Sequence, residues 1–130
     1  MSVTELPVID RSWLPALEPR ELYEALTRAI STHDVRYDRL SRALYATDAS
    51  VYQIVPLMVA FPATADDVSA AVRVCAQFGV PITARGGGTS QAGQSIGPGV
   101  ILDCSRHFDR VLEINPLERW ARVEPGCVLD

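Results

Sequence analysis

The sequence predicts a mixed α+β fold, and three successive segments indicate it. Residues 57–61 form a continuous apolar run closed by Pro62, which is typical of a strand buried on both faces. Residues 65–78 carry apolar side chains at helical spacing, and residues 80–84 form a second apolar run. Together they predict a βαβ unit, with the two strands as parallel neighbours joined by a right-handed crossover through the helix.

The first 44 residues predict an N-terminal helical arm. Residues 1–20 contain three prolines and no sustained hydrophobic period, so we expect an extended lead-in. From Glu21 the apolar residues recur at one-helix-face spacing until about Thr32, which predicts an amphipathic helix. A second short helix is expected over residues 37–44. We therefore divide the chain into an N-terminal arm with helices, residues 1–44, and a domain body, residues 45–130.

The helix of the βαβ unit carries start and stop signals. Thr64 is a favourable N-cap residue, Asp67 stands at the position of its capping-box partner, and Gly79 ends the helix. The residues predicted to form its buried face are Val68, Ala71, Val72, Cys75 and Phe78.

Further strands are predicted after the unit, at residues 100–102, 111–114 and 120–124, the last with the alternation of a half-buried strand. Glu113, Glu118 and Glu124 are expected on solvated faces of these strands. Residues 125–130 form a turn and an apolar start with no room to become an element. We expect a domain that is truncated there.

Composition and charge exclude several functional classes. Twelve basic residues against sixteen acidic ones leave a net charge of −4, so we expect no nucleic-acid partner. All the basic residues are arginine, which removes Schiff-base chemistry and the lysine of a phosphate loop. Three cysteines without a close pair favour reduced thiols and a cytoplasmic location. The longest apolar run, residues 55–63, is too short to span a bilayer, so no membrane segment is expected.

A glycine-rich loop after the second strand is the candidate site. Six of the eight glycines fall between Gly86 and Gly99. Three consecutive glycines allow positive φ, which we expect at Gly87, and let backbone N–H groups approach phosphate oxygens. Hydroxyl donors and one permanent positive charge flank them. The candidate residues of the loop are Arg85, Gly86, Gly87, Gly88, Thr89, Ser90, Gly93, Gln94 and Ser95.

Two familiar nucleotide motifs do not fit this loop. A dinucleotide fingerprint would need glycine where Gln91 stands, and it would follow the first strand of the unit and open a helix. A phosphate loop aligns over residues 88–95, but Gln94 stands at the lysine position. What remains is a backbone cradle for a diphosphate. His33 and His107 stand alone, so no metal site is expected.

At these segments the sequence resembles a known family. Residues 61–64, 80–90 and 99–103 are similar to the first half of the FAD-binding domain in the vanillyl alcohol oxidase and p-cresol methylhydroxylase superfamily. Within it, residues 45–53 and 105–107 are most similar to FAD-linked dehydrogenases of D-2-hydroxy acids, the D-lactate, glycolate and D-2-hydroxyglutarate group.

The resemblance implies a cofactor and its contacts. The backbone of residues 85–90 would bind the FAD pyrophosphate, Gly93 to Ser95 would continue the contact, and Pro62 would lie near the adenosine end. Relatives that attach flavin covalently carry a histidine where Thr89 stands here, so the resemblance implies non-covalent FAD.

The resemblance also implies the chemistry, which is hydride transfer from the α-carbon of a D-2-hydroxy acid to FAD. In the family a second subdomain and a substrate domain complete the enzyme, so we expect the catalytic residues outside this chain and the 130-residue chain alone to be inactive. Open sheet edges favour a homo-oligomer. The alternative is a non-catalytic domain whose glycine loop binds another phosphorylated ligand or a partner protein.

Overall fold

The chain folds into three helices and six strands over the part described by the computed structural model, which comprises Ser12 and residues 17–129. The predicted extended arm falls mostly outside the described residues. The helices are α1 (Pro19–Ala29), α2 (Arg39–Leu44) and α3 (Ala65–Gln77). The strands are β1 (Val35–Arg36), β2 (Met58–Ala60), β3 (Ile82–Arg85), β4 (Val100–Asp103), β5 (Val111–Asn115) and β6 (Trp120–Val123). The predicted α+β class is confirmed.

A four-stranded sheet in the order β1-β2-β4-β3 forms the centre of the fold. β2, β4 and β3 are parallel, and β1 pairs antiparallel with β2. The prediction that β2 and β3 are parallel was right, but the prediction that they are neighbours was wrong, because β4 lies between them. β4 is buried at all four positions, whereas β3 is only partly buried. The more completely apolar strand therefore takes the central place, and β3 becomes an edge.

Helices α1 and α3 pack against one face of this sheet. Leu22 and Leu26 of α1 meet Ala71 and Cys75 of α3 in the main core cluster, together with Met58 and other inward-facing strand residues. α1 begins at Pro19, two residues before the predicted start, because proline is well suited to the first helical position. On the other face, a smaller cluster contains Val59, Phe61 and Ile101, with Tyr45 packed against it.

The start of α3 is fixed by the predicted cap. Thr64 Oγ1 accepts a hydrogen bond from the N–H of Asp67, at 3.1 Å. The Asp67 carboxylate in turn accepts the N–H of Ala63 at 2.9 Å. The predicted buried face was wrong at one position, because Val72 is 46% exposed and Val74 packs against the core instead. The helix is rotated so that 71, 74, 75 and 78 face inward.

Strands β5 and β6 form a separate antiparallel hairpin. The half-buried pattern predicted for residues 120–124 was wrong, since all four residues of β6 are exposed. Such a pattern requires a layer covering one face, and no described element lies on either face of this hairpin closely enough to bury it. Glu124, expected in solvent, is buried and accepts hydrogen bonds from Arg110 through both its carboxylate oxygens.

Among the described residues, none of the helices is both long enough and apolar enough to cross a membrane.

Candidate functional site

The carboxyl ends of the three parallel strands meet at one edge of the sheet. β3 ends at Arg85, β4 ends at Asp103, and Phe61 directly follows β2. In open parallel sheets this edge is where ligands bind. A cleft of about 350 Å³ lies there, and all three residues line it.

The glycine loop forms one wall of this cleft. Gly86 and Gly87 line it directly. The chain bends through residues 86–88 and continues as irregular structure to β4, with no helix after the loop. This agrees with the exclusion of a dinucleotide fingerprint, in which a helix must follow the glycines.

Positive φ occurs at Gly88 (+68°) and Gly93 (+80°), and the expectation of positive φ at Gly87 was wrong. A β-carbon at Gly88 would lie 2.7 Å from Cζ of Arg85, whereas one at Gly87 would meet nothing closer than 3.6 Å. The carbonyl of Gly88 also accepts the N–H of Ala49 at 3.2 Å. Gly88 is therefore needed for backbone conformation and close packing, whereas a β-carbon at Gly87, which lines the cleft, would make only ordinary van der Waals contact.

The Arg85 side chain stabilises the loop through hydrogen bonds to backbone carbonyl oxygens. Its Nη1 donates to the carbonyl oxygen of Thr47 at 2.8 Å and to that of Ser95 at 3.4 Å. Its Cζ lies 5.0 Å from the centre of the Tyr45 ring, a cation–π distance. These partners are neutral, so the charge of the guanidinium is available to the cleft.

The other predicted site residues surround the cleft without lining it. Ser90 Oγ donates to Gln94 Oε1 and accepts the N–H of Gln94. Ser95 is buried and its hydroxyl donates to Asp48 at 2.9 Å. Thr89 is exposed on the loop. Pro62 is fully buried, so its side chain is not accessible to a ligand in this structure.

The floor of the cleft contains two residues that sequence reasoning did not place in the site. The Tyr45 hydroxyl donates to Oδ2 of the buried Asp103. Oδ1 of Asp103 accepts both the N–H of Ser105 at 2.8 Å and its hydroxyl at 2.6 Å. Burial and the neighbouring carboxylate raise the pKa of Tyr45, so it stays a neutral donor near pH 7. Asp103 is thus fully engaged in holding Tyr45 and the turn after β4.

A second group of lining residues surrounds Phe61. The guanidinium carbons of Arg106 and Arg36 lie 4.1 Å and 5.2 Å from the centre of its ring. Both arginines also bond to Asp34, Arg106 through Nη1 at 3.1 Å and Arg36 through Nε at 3.0 Å. Burial raises the pKa of Asp34, but the hydrogen bonds and charges of the two arginines outweigh it and hold the pKa below its usual value.

One signal in the sequence could have located part of this site. The residues that end or follow parallel strands, such as Phe61 and Asp103, converge at the ligand-binding edge of a sheet. Arg36 and Tyr45 come from outside the βαβ unit, and no local pattern connects them to the loop.

Comparison with known proteins identifies the family of this chain. A family model described as an FAD binding domain matches residues 56–130. D-2-hydroxyglutarate dehydrogenase of Pseudomonas putida is 41% identical over 122 residues, covering 89% of this chain and 12% of that protein. Glycolate oxidase subunit GlcD of Escherichia coli is 40% identical over 79 residues, covering 59% of this chain and 16% of that protein.

Among solved structures, p-cresol methylhydroxylase with bound substrate matches with a TM-score of 0.66 and 18% identity, covering 83% of this chain and 22% of that chain. At this identity the match shows the fold alone. The chain spans about an eighth of the length of the D-2-hydroxyglutarate dehydrogenase that it matches, 12%.

Proposed function

Because this chain belongs to the family of FAD binding domains, we propose that its glycine loop binds the diphosphate of FAD through the backbone of residues 85–90. The observation that carries the proposal is the wall of Gly86 and Gly87, which has no side chains and lies in the cleft beside the guanidinium of Arg85. Backbone N–H groups that phosphate oxygens can approach, together with a fixed positive charge, are the features that a diphosphate requires.

The residues present fit this group. A phosphate needs close approach to the backbone, and Gly86 and Gly87 line the cleft without a side chain that would block it. Arg85 is held by carbonyl oxygens rather than by a carboxylate, so no ion pair must break before it meets an anion. Ser90, Gln94 and Ser95 would stabilise the far end of the loop through their hydrogen bonds, and Gly93 would do so through its positive φ.

We propose that Pro62 shapes the site near the adenosine end of FAD. Its buried ring supports the turn after Phe61, so the proposed contribution is to position that turn rather than to touch the ligand with its side chain.

The relatives of this chain are FAD-linked oxidoreductases, and we propose that the full-length protein oxidises a D-2-hydroxy acid. FAD, when bound, would accept the hydride from the carbon that bears the hydroxyl group. The residues described here would bind and orient the cofactor, while the groups that position the substrate and accept its proton would come from other parts of the protein. Residues 45–130 would form the first part of the FAD-binding domain, preceded by an arm and helices at residues 1–44.

We further propose that the enzyme is cytoplasmic, which the three free cysteines support.

We propose that FAD is held without a covalent bond, because Thr89 offers no nucleophile suited to flavin attachment. Denaturing the full-length holoenzyme with acid and removing the precipitate should leave all the flavin in the supernatant. Flavin that sediments with the protein would contradict non-covalent binding and leave the diphosphate site unaffected.

The loop assignment is tested by Gly87→Val in the full-length protein. Gly87 has no left-handed φ and its nearest neighbour would lie 3.6 Å from a new β-carbon, so the fold should tolerate the change. The branched side chain would occupy the cleft, and we expect the bound flavin per protein to fall at least tenfold while the melting temperature of the flavin-free protein stays unchanged.

Ala92→Val is the matched control, because Ala92 is exposed in the same loop and does not line the cleft. It should retain wild-type flavin content. If Gly87→Val also retained it, the loop would not be the diphosphate site. A wild-type protein without flavin would favour the alternative, a non-catalytic domain that binds another phosphorylated ligand or a partner protein.

A further inference from the structure

Two arginines beside Phe61, Arg36 and Arg106, line the cleft but have no role in the contacts proposed for the glycine loop. Arg36 precedes α2 and Arg106 follows β4, so the two come from distant parts of the chain. Both line the cleft, and both guanidinium groups lie against one ring, which is itself 1% exposed. A buried ring that holds two cations at the mouth of a cleft gives them a fixed position before any ligand arrives.

The charges around this pair do not cancel. Asp34 is the carboxylate that both arginines share. Arg36 bonds to it through Nε and Nη2, and Arg106 through Nη1. Two positive charges on one negative charge leave an excess of +1, in a chain whose net charge is −4. Arg85 adds a further positive charge to the same cleft and Asp103 adds a negative one, so the three arginines and the two carboxylates together leave a formal excess of +1.

The two arginines also have N–H donors that are free to bind an anion. A guanidinium carries five N–H donors, and those of Arg106 that do not face Asp34 have no recorded acceptor among the described residues. The side chain of Arg106 is 39% exposed and that of Arg36 is 44% exposed, so each remains open on part of its surface. Ordered guanidinium groups with donors to spare match the oxygens of a phosphate, which they bind in a fork geometry.

We propose that Arg36 and Arg106 form a second wall of the diphosphate site and bind phosphate oxygens of FAD. Phe61 and Asp34 hold the two arginines in place. The loop supplies neutral backbone donors, and the arginine pair supplies charge-assisted donors. This inference rests on the proposed function, since both walls line the same cleft. Asp34 is a positioning residue in this arrangement, because it acts on the ligand only through the two arginines.

The test uses the full-length protein stripped of flavin, with Arg36→Gln and Arg106→Gln as separate variants. Glutamine keeps length and polarity but removes the charge. The dissociation constant for FAD is measured by flavin fluorescence, and competition is measured with ADP and with adenosine. Each variant should weaken FAD and ADP by about tenfold to a hundredfold, the range expected for loss of a charge-assisted hydrogen bond. Adenosine lacks the diphosphate, so its dissociation constant, derived from the competition, should be the same for the wild type and all variants.

Arg73→Gln is the matched control, because Arg73 is an exposed arginine on α3 that does not line the cleft. It should bind FAD as the wild type does. Arg106→Lys keeps a charge that can pair with Asp34, so it should fold and recover part of the lost affinity. It therefore remains informative if the glutamine variant is unstable.

The outcomes separate the two proposals. If wild-type protein binds neither FAD nor ADP, the proposed function fails. If wild-type protein binds FAD but the two glutamine variants bind it equally well, the arginine wall is refuted and the glycine loop stands. Equal losses for ADP and adenosine would also refute it, because they would show a contact to the nucleoside or a general loss of the cleft.

Discussion

Gly87 and Gly88 differ in backbone conformation and in the space around their α-carbons. Gly88 adopts φ +68°, a conformation that costs a side-chain-bearing residue about 1–2 kcal/mol. It also lies against Arg85, so a β-carbon there must displace the guanidinium. Gly87 has neither constraint. Under the proposed function, glycine at this position keeps the cleft free of a side chain.

We predict that Gly88→Ala lowers both the melting temperature and the FAD affinity of the full-length protein, because the new methyl group displaces Arg85 from its carbonyl partners. Gly79→Ala is the matched control. Gly79 has nearly the same φ, +66°, but lies at the end of α3 away from the cleft. It should lose stability through the backbone strain alone and keep its FAD affinity. Thermal melts and flavin titrations of both variants distinguish strain from loss of the site.

At the scale of elements, one carboxylate connects the end of α1 to the start of α3. Asp67 is buried, and it accepts the N–H and the hydroxyl of Ser31 at 2.7 Å and 2.8 Å in addition to the N–H of Ala63. Burial raises its pKa, but these hydrogen bonds outweigh burial and lower the pKa below the ordinary value. The ionised form therefore stabilises the packing of the two helices that cover the sheet.

We predict that Asp67→Asn destabilises the protein by about 1 to 3 kcal/mol at pH 7, because the amide cannot accept all the hydrogen bonds of the carboxylate. A lowered pKa in the folded state means that the stabilisation is complete above the unfolded pKa and is lost as pH falls through the folded value. The difference between wild type and variant should shrink below about pH 4. Chemical denaturation from pH 3 to 7 measures it.

Asp66→Asn is the control for this prediction, since Asp66 lies in the same first turn of α3 and is exposed. It should change stability little at any pH. A pH-independent difference between Asp67→Asn and wild type would show that the charge of Asp67 does not contribute.

At the scale of the whole molecule, the β5–β6 hairpin exposes an unusual amount of apolar surface. Its exposed apolar side chains are Val111, Leu112, Ile114, Leu117, Trp120 and Val123. An accumulation of exposed apolar side chains such as this one is typical of a surface that takes part in an interaction. Small-molecule sites normally enclose their ligands on several sides, and under the proposed function other parts of the full-length protein would complete this cleft.

We predict that the isolated 130-residue chain self-associates, binds FAD weakly or not at all, and oxidises no 2-hydroxy acid. Sedimentation velocity and FAD titration measure the first two properties. Exchanging Ile114 and Val123 for threonine keeps the strand preference of the hairpin and should shift the chain towards monomer. Tight stoichiometric quenching of flavin fluorescence by the wild-type chain would show that these residues hold a complete site.

The sequence by itself determined the features that depend on neighbours along the chain. The cap at Thr64, the end of α3 before Gly79, the apolar strand runs and the glycine loop after β3 are each marked by residue types a few positions apart in the chain, so they can be identified without knowledge of their tertiary contacts. The resemblance to FAD-binding domains rested on these same local segments, and the family match confirms it.

Only the tertiary structure decided which strand lies between β2 and β3, which residues face the cleft, and which glycine adopts positive φ. The partners of Phe61 illustrate the reason. Arg36 and Arg106 are 70 positions apart in the chain, and their contacts with the ring exist only because β1, β2 and β4 lie side by side in the sheet. Strand order is set by the competition of whole apolar surfaces for burial, and no local spacing encodes its outcome.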